Sequence, residues 1–365
     1  MNLAQILDRL NQAQDLKSGI AAWQTLPAVP PNYGEWPSNL DPRLIAALKE
    51  QGISNLYSHQ AEAVESAIAG RSTVVVTPTA SGKSVCYNLP VLNRVLENPA
   101  SRALYLFPTK ALAQDQVVAV QNLGSKLGAE IKSYVYDGDT PPQIRQACRL
   151  AGQIVITNPD MLHTGILPHH TKWVKLFENL NYIVIDELHQ YRGVFGSHLA
   201  NLMRRLRRIC DFYGSKPAFL CSSATIANPQ ELAENLIGEA VHLVGESGAP
   251  RGEKHFLIYN PPQVGKDGIR ESAVKASTRV GAELLKNGIQ TIFFARSRQQ
   301  VELLTTYLKE AVGGSKASKI MGYRGGYRPL ERRAIEAGLR SGDLLGVIST
   351  NALELGIDIG QLQAC

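Results

Sequence analysis

The sequence predicts an α/β protein built on doubly wound, mainly parallel sheets in two domains, and three features of the chain lead there. Short apolar runs alternate with helical stretches over 73–77, 103–107, 132–136, 154–157, 182–185, 218–221 and 241–244. Strands separated by helices pair in parallel, because each crossover returns the chain to the same end of the sheet. A turn-rich segment, Gly245-Glu246-Ser247-Gly248-Ala249-Pro250-Arg251-Gly252, interrupts the alternation, and a second series follows at 255–259, 291–294 and 346–348. Such a break between two periodic series marks a domain boundary. The length, 365 residues, also exceeds what one core usually organises.

These features divide the chain into an N-terminal extension over 1–50, a first domain over 51–245, a linker over 246–253 and a second domain over 254–365. The extension carries a short amphipathic helix and a proline-rich stretch, and it is expected to pack on the first domain. The second series has too few strands for a complete sheet of the same kind. The second domain is therefore expected to be incomplete and the chain cut short.

A hydrophobic content of 44% supplies two cores, and no uninterrupted apolar stretch approaches a membrane span. The N-terminus does not resemble a signal peptide, so a cytoplasmic protein without a membrane partner is expected. Cys86, Cys148, Cys210, Cys221 and Cys365 are scattered without a C-x-x-C pair, which points away from zinc ribbons and disulfide frameworks and toward reduced thiols. A net charge of +6 and a pI near 9.0 favour a polyanionic partner without demanding one. The densest basic cluster, Arg204, Arg205, Arg207 and Arg208, falls on a predicted helix and reads equally as a solvated face or a nucleic-acid contact.

The most specific chemistry lies in Thr77-Pro78-Thr79-Ala80-Ser81-Gly82-Lys83-Ser84, set behind an apolar run and ahead of a helix. A triphosphate needs several donors at once, and a loop feeding a helix N-terminus offers unpaired backbone N–H groups, here from Thr79 through Ser84. Gly82 permits close approach, Lys83 neutralises β/γ-phosphate oxygens, and the Ser84 hydroxyl suits a magnesium ion bridging them. Thr77 replaces the first glycine of the usual G-x-x-x-x-G-K-[ST] pattern. A second apolar run ends in Asp186-Glu187-Leu188-His189. Asp186 is the expected second ligand of the same metal, and Glu187 the group that orients and deprotonates the attacking water. The two stretches together read as an ATP hydrolysis site with Lys83, Asp186, Glu187 and His189 at its centre.

With these motifs in place, the chain from Gly52 to Gly360 resembles the superfamily 2 DEAD/DEAH-box helicases. That resemblance implies two RecA-like P-loop domains, with ATP and nucleic acid at their cleft. Asp186-Glu187-Leu188-His189, Tyr191-Arg192-Gly193-Val194-Phe195-Gly196-Ser197-His198 and Arg204-Arg205-Leu206-Arg207-Arg208 look most like the bacterial mitomycin-repair DNA helicases (MrfA/YprA type) and their RecQ-related fungal relatives. The resemblance implies an ATP-dependent motor moving 3′ to 5′ on single-stranded or tailed DNA, in DNA repair, with room for a nuclease partner. An RNA helicase is the alternative, and a non-catalytic, nucleotide-gated nucleic-acid clamp is the alternative of another class.

The resemblance also assigns residues. Gly52-x-x-x-Leu56-Tyr57-x-x-Gln60 is similar to the Q motif, in which the Gln60 amide would pair with the adenine edge and Tyr57 pack near the base. Pro108-Thr109-Lys110-Ala111-Leu112-Ala113-Gln114-Asp115-Gln116 resembles motif Ia, with Thr109, Lys110 and Gln114 on a nucleic-acid phosphate. Gly138, in Asp137-Gly138-Asp139-Thr140, and Thr157, in Thr157-Asn158-Pro159-Asp160, resemble the glycine motif and motif Ib. Contacts of this kind grip the backbone and are salt-sensitive. Ser222-Ser223-Ala224-Thr225 resembles motif III, whose hydroxyls on Ser223 and Thr225 would bond His189 and couple hydrolysis to movement. Ser297 and Arg298 fall in a motif IV-like string, and Thr350 in a motif V-like string where Gly356 and Asp358 would face the ribose. Tyr323-Arg324-Gly325-Gly326-Tyr327 suits single-strand contact or a plain surface turn. Motif VI is expected beyond residue 365. Since arginine fingers supply roughly 10³ to 10⁵ of phosphoryl-transfer rate, this polypeptide alone is expected to bind ATP but hydrolyse it poorly and not unwind.

Overall fold

The computed structural model describes residues 2–264, 268–350, 353 and 362–365. The chain divides into two compact units, one of Ala28–Gly252 and one of Met1–Pro27 with Glu253–Cys365.

The Ala28–Gly252 unit is organised by a seven-stranded sheet in the order His242–Val244, Thr73–Val76, Ala218–Ser223, Leu180–Ile185, Arg102–Leu106, Ile154–Thr157, Ser133–Val135. Every pairing in it is parallel. Both faces are covered, and the side chains sort by the two-residue strand period. Leu104, Leu106, Val155, Ile183, Ile185 and Phe219 enter one core, while Ala103, Tyr105, Ile154, Ile156, Val184 and Leu220 enter the other. Helix ends follow local chemistry. Thr109 caps Lys110–Ser125 by accepting from the Leu112 amide at 3.3 Å, and Gly214 closes Gly193–Tyr213 at φ 77°.

The other unit has a three-stranded parallel sheet, Thr291–Phe294, Gly346–Ser349 and Ile320–Tyr323, with Gly346–Ser349 in the centre. It also contains an antiparallel pair, Ile20–Leu26 with Lys254–Tyr259. This corrects the expected place of the N-terminus: residues 1–27 belong with 253–365, not with the first sheet. The reason is that Ile20–Leu26 supplies a main-chain partner to Lys254–Tyr259, while Ile6, Leu10 and Leu16 pack on Ile289 and Arg9 pairs with Glu283 at 3.1 Å.

The expected linker is paired in part with residues 29–32. Val29 and Arg251 exchange both backbone hydrogen bonds, and the Asn32 amide donates to the Gly248 carbonyl at 2.8 Å. A Cβ on Gly248 would stand 2.4 Å from the Asn32 carbonyl oxygen, so only glycine allows this approach. The segment is thus tied to residues 29–32 instead of hanging free. Among the described residues no helix is long and apolar enough to cross a membrane. Four cysteines are buried and Cys365 is exposed, all as free thiols.

Candidate active site

Parallel strands deliver their carboxyl ends to one edge of a sheet, where such folds place ligands. Register brings three loops together there: Val76 is level with Ser223, and Ile185 with Cys221. Thr77, Asp186 and Ser222 to Ala224 therefore leave adjacent strands side by side.

The loop after Val76 is closed on itself. Thr77 and Ser81 share a hydroxyl hydrogen bond of 2.6 Å, and the Lys83 ammonium donates to the carbonyls of Thr77 at 3.0 Å and Pro78 at 3.1 Å. Burial lowers the Lys83 pKa, while Glu187 and then Asp186 pull it back up. Gly82 sits at φ 76° as N-cap of Lys83–Glu97, and Thr79 and Ala80 are exposed. Only two non-glycine residues among those described have positive φ, Ala80 at 63° and Glu187 at 54°, and both lie in this site. Strained backbone of this kind persists where the surroundings over-determine it, and it concentrates at functional sites.

Asp186 is held from several sides. The Glu187 amide donates to Oδ1 at 2.9 Å, the Ser222 hydroxyl donates to the same oxygen, and Tyr87 Oη lies 3.5 Å from Oδ2. Burial first and Glu187 second push the Asp186 carboxyl up to about 6. Glu187 is likewise raised by burial, with Lys83 opposing. A carboxylate penalised for its charge and electrostatically coupled to Lys83, together with the Ser84 hydroxyl in the first turn of Lys83–Glu97, offers oxygen donors only. Magnesium prefers such sets and completes them with phosphate oxygens and water, so Ser84 and Asp186 fit it. Among the described residues no cluster of three or more His, Cys, Asp or Glu suits a metal held by protein alone.

His189 joins this centre differently from expectation. Its Nδ1 accepts the Ala224 amide proton at 3.2 Å, so motif III meets it through the backbone, not through Ser223 or Thr225. The Ser223 hydroxyl turns to the Ala224 carbonyl at 2.8 Å, and Thr225 is exposed. A tight turn at the strand end brings the amide inward and the flanking hydroxyls elsewhere. Burial lowers the His189 pKa, so its 3.3 Å contact with Glu187 is not an ion pair at neutral pH. Ser222, which sequence reasoning passed over, is the hydroxyl that reaches the acidic pair.

Gln60 is almost fully buried and already engaged. Its Oε1 accepts from the Tyr57 amide at 2.9 Å, and its Nε2 donates to the Gly82 carbonyl at 3.1 Å. Nε2 also donates to the Ser81 carbonyl at 3.5 Å, so the amide's donors serve the loop and one acceptor position serves the helix start, leaving a lone pair for any base edge. Tyr57 stacks between His59 and an exposed Tyr33, at centroid distances of 6.0 and 5.6 Å. Tyr33 had no motif to mark it.

The nucleic-acid candidates divide. Lys110 and Gln114 are exposed on the Lys110–Ser125 helix, and Lys110 pairs with Asp139 at 2.5 Å beside Gly138. Thr157 is a correction: it is 1% exposed, and its hydroxyl donates to the Tyr136 carbonyl at 2.6 Å. It is the last residue of a strand paired on both sides, and its side chain turns inward, out of reach of a phosphate. Ser297 caps Arg298–Val312 and is exposed with Arg298, and Thr350 is half-buried. Gly356 and Asp358 lie outside the described residues. Arg324 stacks over Tyr327, and both contact Glu302, whereas Tyr323 is buried on Glu336. Arg207 is held by Glu239 at 3.1 Å, Arg205 by His163 at 2.7 Å and Arg204 by Asn201 at 3.4 Å, so three of the four arginines are engaged within the fold.

The profile of the DEAD/DEAH box helicases matches residues 57–232, and that of the helicase conserved C-terminal domain matches residues 276–365. The chain belongs to the DEAD/DEAH-box helicases. This helicase chain is 61% identical over 331 residues to the ATP-dependent helicase YprA of Bacillus subtilis, a match taking in 90% of the chain and 44% of that protein. It is 39% identical over 373 residues to the ATP-dependent helicase HRQ1 of Saccharomyces cerevisiae, covering 99% of the chain and 34% of that protein. Among solved structures, the DUF1998 helicase MrfA bound to DNA and AMPPNP matches with a TM-score of 0.95 at 55% identity, over 100% of the helicase chain and 50% of MrfA. The helicase chain thus spans half or less of the length of these relatives.

Proposed function

We propose that this chain is the motor core of an ATP-dependent DNA helicase, which couples ATP hydrolysis to stepping along single-stranded DNA. The observation that carries the reading is the convergence of Lys83, Asp186 and Glu187 at the carboxyl ends of two strands that flank Ala218–Ser223, with Lys83 feeling both carboxylates. In this reading the loop amides of Ser81 to Ser84 bind the phosphates, and Lys83 leaves the Thr77 and Pro78 carbonyls for the β/γ oxygens. Magnesium, held by Ser84 and Asp186, would supply charge neutralisation on those oxygens. Glu187, whose carboxyl burial pushes up against the opposing pull of Lys83, takes the proton of the attacking water. The Ala224 amide fixes the His189 ring beside Glu187.

DNA as the track is supported by the solved MrfA structures, one bound to DNA and AMPPNP and one bound to DNA. Movement 3′ to 5′ and a role in DNA repair follow from the resemblance to the mitomycin-repair helicases, and exposed Lys110 and Gln114 are the grips assigned to one strand. The test is ATP turnover by the full-length protein with single-stranded DNA, RNA or neither. Stimulation by DNA but not RNA supports the reading, while stimulation by RNA alone replaces it with an RNA helicase. Turnover indifferent to both removes the motor.

A further inference from the structure

His59 is fully buried and is used by none of the chemistry above. It joins two backbone groups that lie far apart in sequence: its Nε2 is 3.1 Å from the Ser81 carbonyl, and the Gly248 amide donates to its Nδ1 at 3.1 Å. Because Nδ1 is occupied as an acceptor, the ring proton sits on Nε2 and is donated to Ser81. Burial favours this neutral form.

Both partners belong to functional segments. Ser81 is in the phosphate loop, and the next carbonyl, that of Gly82, is held by the adjacent side chain Gln60. Gly248 sits where the chain leaves the Ala28–Gly252 unit. There the outgoing and incoming strands are joined, Gly248 to Asn32 at 2.8 Å and Val29 to Arg251 by a bond in each direction. Gly248 also approaches Ser58, the neighbour of His59, too closely for any side chain. A buried histidine needs only satisfied nitrogens; this one is satisfied by the loop on one side and by the paired crossing on the other.

We propose that His59 is a positioning residue that transmits nucleotide occupancy of the phosphate loop to the paired crossing segments at 29–32 and 248–251. The inference rests on the ATP reading of the loop. In this proposal the loop, closed on itself by Lys83 at the Thr77 and Pro78 carbonyls, rearranges when Lys83 moves to a phosphate, and the Ser81 carbonyl carries His59 with it. The imidazole is rigid, so the displacement reaches the Gly248 amide directly.

The two links can be cut separately. An asparagine side chain imitates Nδ1 and a glutamine imitates Nε2, so His59→Asn keeps the Gly248 bond and loses Ser81, whereas His59→Gln does the reverse. The full-length protein is examined by hydrogen exchange at residues 248–251, with and without magnesium and a non-hydrolysable ATP analogue. Affinity for the analogue is measured in parallel.

In the wild type, the analogue is expected to change exchange of the Gly248 amide by about fivefold or more, the weight of one hydrogen bond. Both variants are expected to bind the analogue within about threefold of wild type yet lose that change. Analogue binding by the wild type without a change at Gly248, or a change that persists in both variants, overturns this proposal and leaves the loop reading standing. Failure of the wild type to bind the analogue overturns the loop reading and this proposal with it. Should a variant unfold, imidazole nitrogen resonances of the wild type decide. The analogue must move the His59 Nε2 signal, and a signal that stays in place sinks the coupling.

Discussion

The Lys83 ammonium lies 3.0 Å from the carbonyl oxygen of Thr77, at the mouth of the loop it is meant to serve. A lysine whose pKa burial lowers, with two carboxylates opposing, and which bonds its own loop is poised between partners, and a phosphate is the stronger one. Lys83→Ala in the full-length protein is expected to lower ATP turnover by about 10²-fold or more, as losing a transition-state charge partner does. Salt-dependent binding of a single strand should persist. A phosphate-release assay beside fluorescence anisotropy checks both, and near-normal turnover would contradict the assignment of the loop.

Asp186 makes a prediction about stability. Burial and then Glu187 push its carboxyl up to about 6, above its ordinary value of 3.8, so between those values the folded state retains a proton that the unfolded chain has released. Folding free energy contributed by this group is therefore lost as pH rises from about 4 to 6. Asp186→Asn removes that penalty. Without nucleotide the variant should be more stable than wild type at pH 7.5 by on the order of 1 kcal/mol, since partial exposure softens the effect, and no more stable near pH 4. Denaturant melts at the two pH values measure this, and ATP turnover by the variant should be absent.

Ser222 acts on the same carboxylate from the neighbouring strand. Its hydrogen bond lowers the Asp186 pKa against the opposing effect of burial. Ser222→Ala should move the acid limb of the kcat/KM profile to higher pH, because the ionised form is needed for metal. An unmoved limb, with turnover merely scaled down, would assign Ser222 to packing alone.

Lys110 and Thr157 separate exposure from sequence resemblance. Lys110→Ala should weaken single-strand binding at every sequence and reduce the salt slope by about 1. Thr157→Val removes a buried hydroxyl bond and should cost about 1 kcal/mol of stability without changing strand affinity. Weakened binding by Thr157→Val at unchanged stability would restore the contact denied to it by burial.

How much of this was legible in the sequence follows from what each feature depends on. Strand alternation and the two motifs at strand ends are local and periodic, so the parallel sheet and the grouping of Lys83, Asp186 and Glu187 could be read directly. Motif resemblance fixed which residues sit near the site but not which atom of each is used. His189 takes an amide where hydroxyls were expected, and Thr157 faces inward, because a single turn of backbone decides both. Tyr33 and His59 left no sequence signal: each depends on a contact across the fold, and neither stands in a diagnostic spacing. The membership of residues 1–27 in the other unit was hidden for the same reason, since a strand does not reveal its partner.

That last arrangement has a consequence for how the molecule is made. During synthesis the Ile20–Leu26 strand emerges early, but Lys254–Tyr259, its mate, leaves the ribosome only after residues 28–252 have been produced. An entire nucleotide-binding lobe can complete itself while the first strand waits without a neighbour. An expression fragment beginning at Ala28 and ending at Gly252 respects this nesting, whereas one beginning at Glu253 strips the remaining lobe of the ribbon that lines Lys254–Tyr259.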